Sequence, residues 1–380
     1  MPLRRALLAL LLAASAAPWT PPAAAKDEPQ RPEHVVLVIL GGGVRAKEML
    51  DKAIMPTVAE AGVQGVVLEG VTATAPNPYA GAARILTGRD DDPPAGTRPR
   101  PSFPTLLECV RKDRALPAEK VWFVSYRGQD DLHLAHSEHA DYGPAFAPGV
   151  AWGSGAFAQP LASFLETLGR PLPVPETVWP LLRKLRLANR EAAGAWLPRD
   201  VDAGLPEAER LERALMTELD RKASLIRGPN PDDERAIRAA LTVLAVHRPV
   251  LTVIRLGMAE EAQAKMDRYL AVLRAADEGI GRLRSAVAAD PVTKGKTTFV
   301  VVADMGRNAA PNARGGLDAD DASADRTRVA LVADGPGIRR GGRMKGERTL
   351  QDVAPTVARL LGAAMPHAEG QALTALLAVE

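Results

Sequence analysis

Three of the six histidines, His133, His136 and His139, stand within seven residues of one another in the run Asp130-Asp131-Leu132-His133-Leu134-Ala135-His136-Ser137-Glu138-His139-Ala140-Asp141. Imidazole and carboxylate groups ligate divalent metals. A spacing of three sets successive imidazoles on one side of a helical turn, where one ion can bridge two of them. A solvent-exposed polar loop explains the same run without any metal. A second cluster is cationic: Arg339, Arg340, Arg343, Lys345 and Arg348 lie among glycines. It reads either as a site for an anionic partner or as a solvated connection between two elements. A third feature is Gly41-Gly42-Gly43, whose backbone N–H groups could cradle a phosphate. The G-x-G-x-x-G spacing is absent and no G-x-x-x-x-G-K-[ST] follows, so a tight turn with close backbone approach is the better reading. His34, His247 and His367 stand alone and are read as structural.

These groups must be carried by a scaffold, and the sequence indicates which. The segment His34 to Leu40 (HVVLVIL) is a continuous aliphatic run, as expected of a strand buried on both faces, and it ends in the three glycines. Similar runs recur at Gly65–Val71, Val121–Ser125, Val250–Leu256, Thr297–Ala303 and Arg328–Ala333. Between them, apolar residues at three- and four-residue spacing (Tyr269, Leu273, Ala276, Ile280, Leu283, Val287) mark an amphipathic helix beginning near Met266. Another runs from Leu350 to Leu361, entered from Thr349 and closed by Gly362. Alternation of this kind predicts an α/β fold, a mainly parallel sheet sandwiched by helices, with its ligand crevice beyond the strands' C-terminal ends. The stretch from about 157 to 238 has no strand-like run, several prolines and long charged helical patterns. It is read as a helical cap or insertion within one domain over 26–380.

Composition narrows the function. The chain of 380 residues holds one Cys and six His, too few for a zinc-finger array or a disulfide scaffold. Aromatic residues make up 4%, which leaves little for stacking on sugars or single-stranded nucleic acid. Residues 1–25 have the layout of a secretory signal peptide: Arg4 and Arg5, the apolar run Ala6 to Ala14, then small residues ending at Ala25. The apolar run is too short to span a bilayer, so no transmembrane anchor is expected after cleavage. Loss of Arg4 and Arg5 takes the formal net charge from +2 to zero, which gives no electrostatic support for nucleic-acid binding. The expected location is periplasmic or secreted.

Four stretches, in order, resemble the alkaline phosphatase and sulfatase superfamily. They are VILGGGVR (Val38 to Arg45) followed by Met55-Pro56-Thr57-Val58; APNPYAGAARILTGR (Ala75 to Arg89); FVVVADMGRN (Phe299 to Asn308); and RVALVADGPGIRRG (Arg328 to Gly341) followed by LQDVAPTVARLLG (Leu350 to Gly362). The resemblance implies an alkaline phosphatase-like fold. Its chemistry would be in-line attack by a Ser, Thr or modified Cys on phosphorus or sulfur, with one or two divalent metals held by Asp and His.

Position by position, most of that machinery is missing. The Asp of the family's first turn corresponds to Gly42. Its Asp-His pair appears as Asp304-Met305, leaving Asp304 as a remnant ligand beside a thioether. The segment Leu256 to Ala262 offers Glu260 and Glu261 but no His, and positions 309–327 contain Asp318, Asp320 and Asp321 but no His. The nucleophile position, counted back from Thr87 in the LTGR motif, falls at Pro78. Thr74 is the nearest upstream hydroxyl and the first substitute, with Tyr79 the second. Asn77, Arg84, Arg307 and Asn308 could hold an anion without metal. The expectation is therefore an exported binding or accessory protein, catalytically inactive or strongly altered, with no cofactor and a small anion or an envelope partner as ligand. The alternative is a phosphoric or sulfuric ester hydrolase with a rebuilt divalent-metal site, for which the cluster His133, His136, His139 is the obvious source.

Overall fold

The computed structural model describes residues 30–152 and 231–378, apart from 91, 95, 127, 128 and 264. The expected leader, 1–25, and 157–230 of the expected insertion lie outside the described residues.

Among the described residues eight strands form one sheet: β1 His34–Leu40, β2 Val66–Thr72, β3 Val121–Ser125, β4 Gly149–Trp152, β5 Leu251–Leu256, β6 Thr297–Ala303, β7 Arg328–Asp334 and β8 Gly342–Thr349. Their spatial order is β4-β3-β5-β1-β6-β7-β2-β8. β1 sits between β5 and β6, parallel to both, with Leu37 level with Val253 on one side and Val300 on the other. All seven β1 residues are buried, as the unbroken aliphatic run requires. β7 alone runs antiparallel to its neighbours β6 and β2.

Helices flank the sheet in two packed sets. One contains α1 Pro56–Gln64, α4 Pro231–His247 and α5 Met266–Ala289, with α4 on β3, β4 and β5. The other contains α2 Pro78–Thr87, α3 Leu106–Asp113 and α6 Val353–Leu360. The buried stripe of α5 is the expected one. It also carries the buried Asp277, whose carboxylate accepts the Thr57 and Val58 amides (3.0 and 2.9 Å) and so caps the first turn of α1. A capping box of Thr105 with Glu108 starts α3. Thr349 and Asp352 form another box, opening a 3-10 turn that leads into α6.

Two features depart from the sequence reading. The cationic segment is not merely a solvated connection: 342–349 is an edge strand, parallel to β2. Its polar sequence hides it because its strand character comes from pairing to β2. Residues 231–238, assigned to the insertion, are the first half of α4 and belong to the layer that covers the sheet. No helix among the described residues is long and apolar enough to cross a membrane.

Candidate active-site crevice

β1, β5 and β6 end level with one another, Leu40 beside Leu256 and Ala303, so the residues that follow converge beyond the C-terminal edge. The Gly41–Gly43 turn threads between the other two strand ends. Gly41 donates its N–H to Leu256 O (2.7 Å) and Val44 to Met305 O (2.8 Å). The Gly42 and Gly43 amides donate to the two carboxylate oxygens of Asp304, each at 3.2 Å. All four amides of the turn are thus taken, which removes them as a phosphate cradle. Gly42 has φ +88°, and a Cβ there would lie 2.3 Å from Glu260 N. No side chain fits where the family's first Asp would project.

At the centre lies Arg255, the penultimate residue of β5. Its exposure is 1%, and that of Asp131 and Asp304 is 0%. Arg255 Nη1 is 2.5 Å from Asp131 Oδ1, and Nη2 is 3.6 Å from Asp304 Oδ2. The Tyr126 ring lies 5.5 Å from the guanidinium carbon. Ser125 Oγ donates to the other Asp131 oxygen at 2.6 Å, and Tyr126 Oη donates to Glu260 at 3.0 Å. Burial alone would lower the guanidinium's pKa. The attraction of Asp131, Tyr126 and Asp304 overcomes it and raises the pKa above its usual range. One guanidinium cannot neutralise two carboxylates, and Asp131 is the closer. Burial therefore pushes the Asp304 carboxyl up to about 7, with Arg255 and the two amides opposing and Glu260 adding to the rise.

A second buried guanidinium, that of Arg307, bonds to backbone carbonyls of the turns beyond the strand ends. Arg307 donates to Leu317 O (3.1 Å), Ala259 O (2.9 Å), Gly43 O (3.4 Å) and Gly42 O. It fastens the turns after β1, β5 and β6 together and is not held out for an anion. Asn308 is likewise committed: it donates to Asp320 (2.7 Å) and accepts the Asp320 and Asp321 amides (2.9 and 3.1 Å).

Helix α2 lies directly on the end of β6. A Cβ on Gly81 would fall 2.1 Å from Asp304 O, so only glycine allows this approach. Pro78, one helical turn before Gly81, stands at the helix start with neither a hydroxyl nor an N–H. Asn77 is the N-cap and accepts the Ala80 amide (2.9 Å). Thr74 is exposed, and its hydroxyl accepts from Arg84 Nη1 (3.2 Å). Arg84 is gripped bidentately by Asp92 (3.0 and 2.7 Å) and also meets Asp90. Tyr79 is buried, donates to Pro99 O (2.6 Å), and has its phenol pKa raised by that burial. Asn77, Arg84, Arg307 and Asn308, the four expected anion contacts, are each bonded within their own surroundings. They do not form a common anion site.

The three clustered histidines also part company. His133 bonds to Arg98 O (2.5 Å), and His136 meets Arg100 Nη1 (2.7 Å) and Ser137 O (3.1 Å). His139 accepts the Asp141 amide (3.2 Å) and packs against His367, ring centroids 4.7 Å apart. The run is a 3-10 turn, His133–Ala135, followed by extended backbone at His136, so the helical spacing that would align the imidazoles is not realised. Among the described residues no group of three or more His, Cys, Asp or Glu is placed to hold a metal.

The donor set therefore does not fit the metals that the superfamily resemblance implies. One ligand position admits no side chain, and Asp304 is engaged by two amides and sits beside a guanidinium. Met305, in place of the His, is a buried thioether and a poor match for a hard ion. Sequence reasoning missed Arg255. Its signal was present: a charged residue inside LTVIRL, a run otherwise fit for a strand buried on both faces.

No protein-family model matches the sequence, and no curated protein does. Solved structures do. Wild-type alkaline phosphatase PafA is 10% identical over 92% of this chain and 99% of its own, with a TM-score of 0.52. BT1596, a 2-O GAG sulfatase, is 15% identical over 92% of this chain and 75% of its own, with a TM-score of 0.49. Among the described residues, the eight-stranded mixed sheet with its flanking helices has an alkaline phosphatase-like fold.

Proposed function

We propose that this chain is an exported, non-catalytic protein built on the alkaline phosphatase-superfamily fold, acting as a binding or accessory protein. The observation that carries this reading is the buried chain Asp131–Arg255–Asp304. The protein's own guanidinium supplies positive charge next to the carboxylate that a divalent ion would need. A buried cation and a divalent metal cannot share that space without severe repulsion. The Pro78 position supports the same reading, since it offers no nucleophile.

Metal analysis of the purified full chain tests this directly, together with turnover of aryl phosphate, phosphodiester and aryl sulfate substrates in the presence of added zinc, calcium or manganese. The expected result is substoichiometric metal and no turnover above that of the Asp304→Ala variant. Stoichiometric metal with turnover that both Thr74→Ala and Asp304→Ala abolish would overturn the proposal in favour of an ester hydrolase with a rebuilt site.

A further inference from the structure

The strand β8 lies at the edge of the sheet and is mostly exposed. It has one strand neighbour, β2, and among the described residues nothing pairs with its other edge. Met344 packs against the core and anchors the strand, while Arg343, Lys345, Gly346, Glu347 and Arg348 are exposed. The register to β2 shifts between Lys345 and Arg348, a bulge that leaves the pairing intact on both sides. The strand contains no proline to block a ladder, and a Cβ at Gly342 or Gly346 would meet nothing within 4 Å. Its outer backbone is thus open to another strand.

The side chains decide what kind. Arg339, Arg340, Arg343, Lys345 and Arg348 outnumber the single Glu347 on this stretch. Among the described residues, Arg343 is the one of these cations that meets a carboxylate, Glu69 of β2 at 2.7 Å. Arg339 and Arg348 donate to Leu377 O and Glu347 O, while Arg340 and Lys345 have no partner among the described residues. A second copy of β8 laid alongside would set cations against cations, which is how edge charge prevents self-association. An acidic strand would meet the opposite situation.

We propose that the β8 edge is a docking site for an acidic polypeptide segment that binds in extended form as a ninth strand. Backbone pairing would give it affinity and carboxylates facing Arg343 and Lys345 would give it selectivity. A sulfated glycan or a nucleic acid could use the charge but not the backbone ladder, and 339–349 has no aromatic residue to stack on either. An anionic membrane is disfavoured too, since the strand's one large apolar side chain, Met344, faces the core. The proposal uses none of the crevice residues, so it stands apart from the loss or retention of catalysis.

The test uses the full chain and a labelled peptide alternating Glu and Val, about eight residues long to match the strand. Fluorescence anisotropy should show saturable binding, weakened about tenfold or more by Lys345→Glu and further by Arg343→Glu/Lys345→Glu. The same peptide with alternate backbone nitrogens methylated keeps its charge but cannot form the ladder, and should bind about tenfold more weakly or worse. Hydrogen exchange at 342–349 should slow when the unmodified peptide is added. An unchanged thermal transition for Lys345→Glu alone shows that weakened binding is not misfolding. Equal binding of the methylated peptide would overturn the proposal, as would tighter binding of heparin or of phosphatidylserine vesicles. No saturable binding would overturn it as well.

Discussion

Arg255 Nη1 lies 2.5 Å from Asp131 Oδ1, and neither side chain reaches solvent. The two residues come from the end of β5 and from the turn after the adjacent parallel strand β3, so the contact ties the two strand ends together. A buried pair of this kind adds little net stability when intact. Breaking it is expensive, because a charge is then left in a medium that cannot solvate it. Arg255→Met should therefore destabilise the chain by about 3–5 kcal/mol. Asp131→Asn should cost less than Arg255→Met, since Asp304 still faces the guanidinium. The triple variant Arg255→Met/Asp131→Asn/Asp304→Asn should recover part of the loss. Urea unfolding of the three variants and the wild type measures these differences, and an Arg255→Met protein as stable as wild type would mean the pair is solvated.

Asp304 makes stability depend on pH with a sign opposite to that of an ordinary ion-paired carboxylate. Its folded-state pKa stands at about 7, against an ordinary value of 3.8. Between these values the folded chain holds a proton that the unfolded chain has released. Its contribution is therefore fully present below about pH 4 and is lost as pH rises toward about 7, at up to about 1.4 kcal/mol per pH unit. Asp304→Asn has no such proton to lose. The difference in unfolding free energy between wild type and this variant should slope downward across that window and flatten above it. A flat difference from about pH 4.5 to 7.5 would show that Asp304 is ionised throughout.

Restoring the superfamily's ligands on paper should not restore a metal. Gly42→Asp with Met305→His supplies the residue types, but the Cβ at position 42 would lie 2.3 Å from Glu260 N, at φ +88°. The left-handed backbone alone costs a residue with a Cβ about 1–2 kcal/mol, and the clash adds to it. The expected protein is less stable by at least about 2 kcal/mol. Isothermal titration with zinc should show no stoichiometric site while Arg255 remains. A tight site with Arg255 in place would mean that the turn after β5 moves aside readily.

What could be read from the sequence follows from where the information lies. β1 and β6 were legible at HVVLVIL and TTFVVVA because burial on both faces demands an unbroken apolar run, visible residue by residue. β8, GRMKGERT, was not, because it has no fully buried residue, its one large apolar side chain, Met344, is half-buried, and its geometry comes from β2. That Gly42 and Met305 stand where the superfamily resemblance implies an Asp and a His was likewise open to inspection. The contact of Arg255 with Asp131 and Asp304 was not, because the three are far apart in sequence and the fold brings them together. Asn77, Arg84, Arg307 and Asn308 have the right chemistry for an anion. The structure spends it on a helix cap, an aspartate pair and turn carbonyls, uses that composition and spacing do not reveal.

The single cysteine gives a further prediction, one that concerns reactivity. Cys109 sits on α3 with 1% exposure, and burial beside Glu108 and Asp113 pushes its thiol up to about 12. The thiolate is the reactive species, so both low access and low ionisation protect it. In native protein at neutral pH, Cys109 should react with a soluble aromatic disulfide more slowly than free cysteine by several orders of magnitude, and at the ordinary rate once denatured. Arg255→Met offers a control: if it loosens the fold, the reaction should accelerate in step with the measured loss of stability, because labelling then proceeds through opening. Fast native labelling that did not depend on stability would show that α3 exposes its inner face, which the capping box at Thr105 and the packing of α6 against α3 argue against.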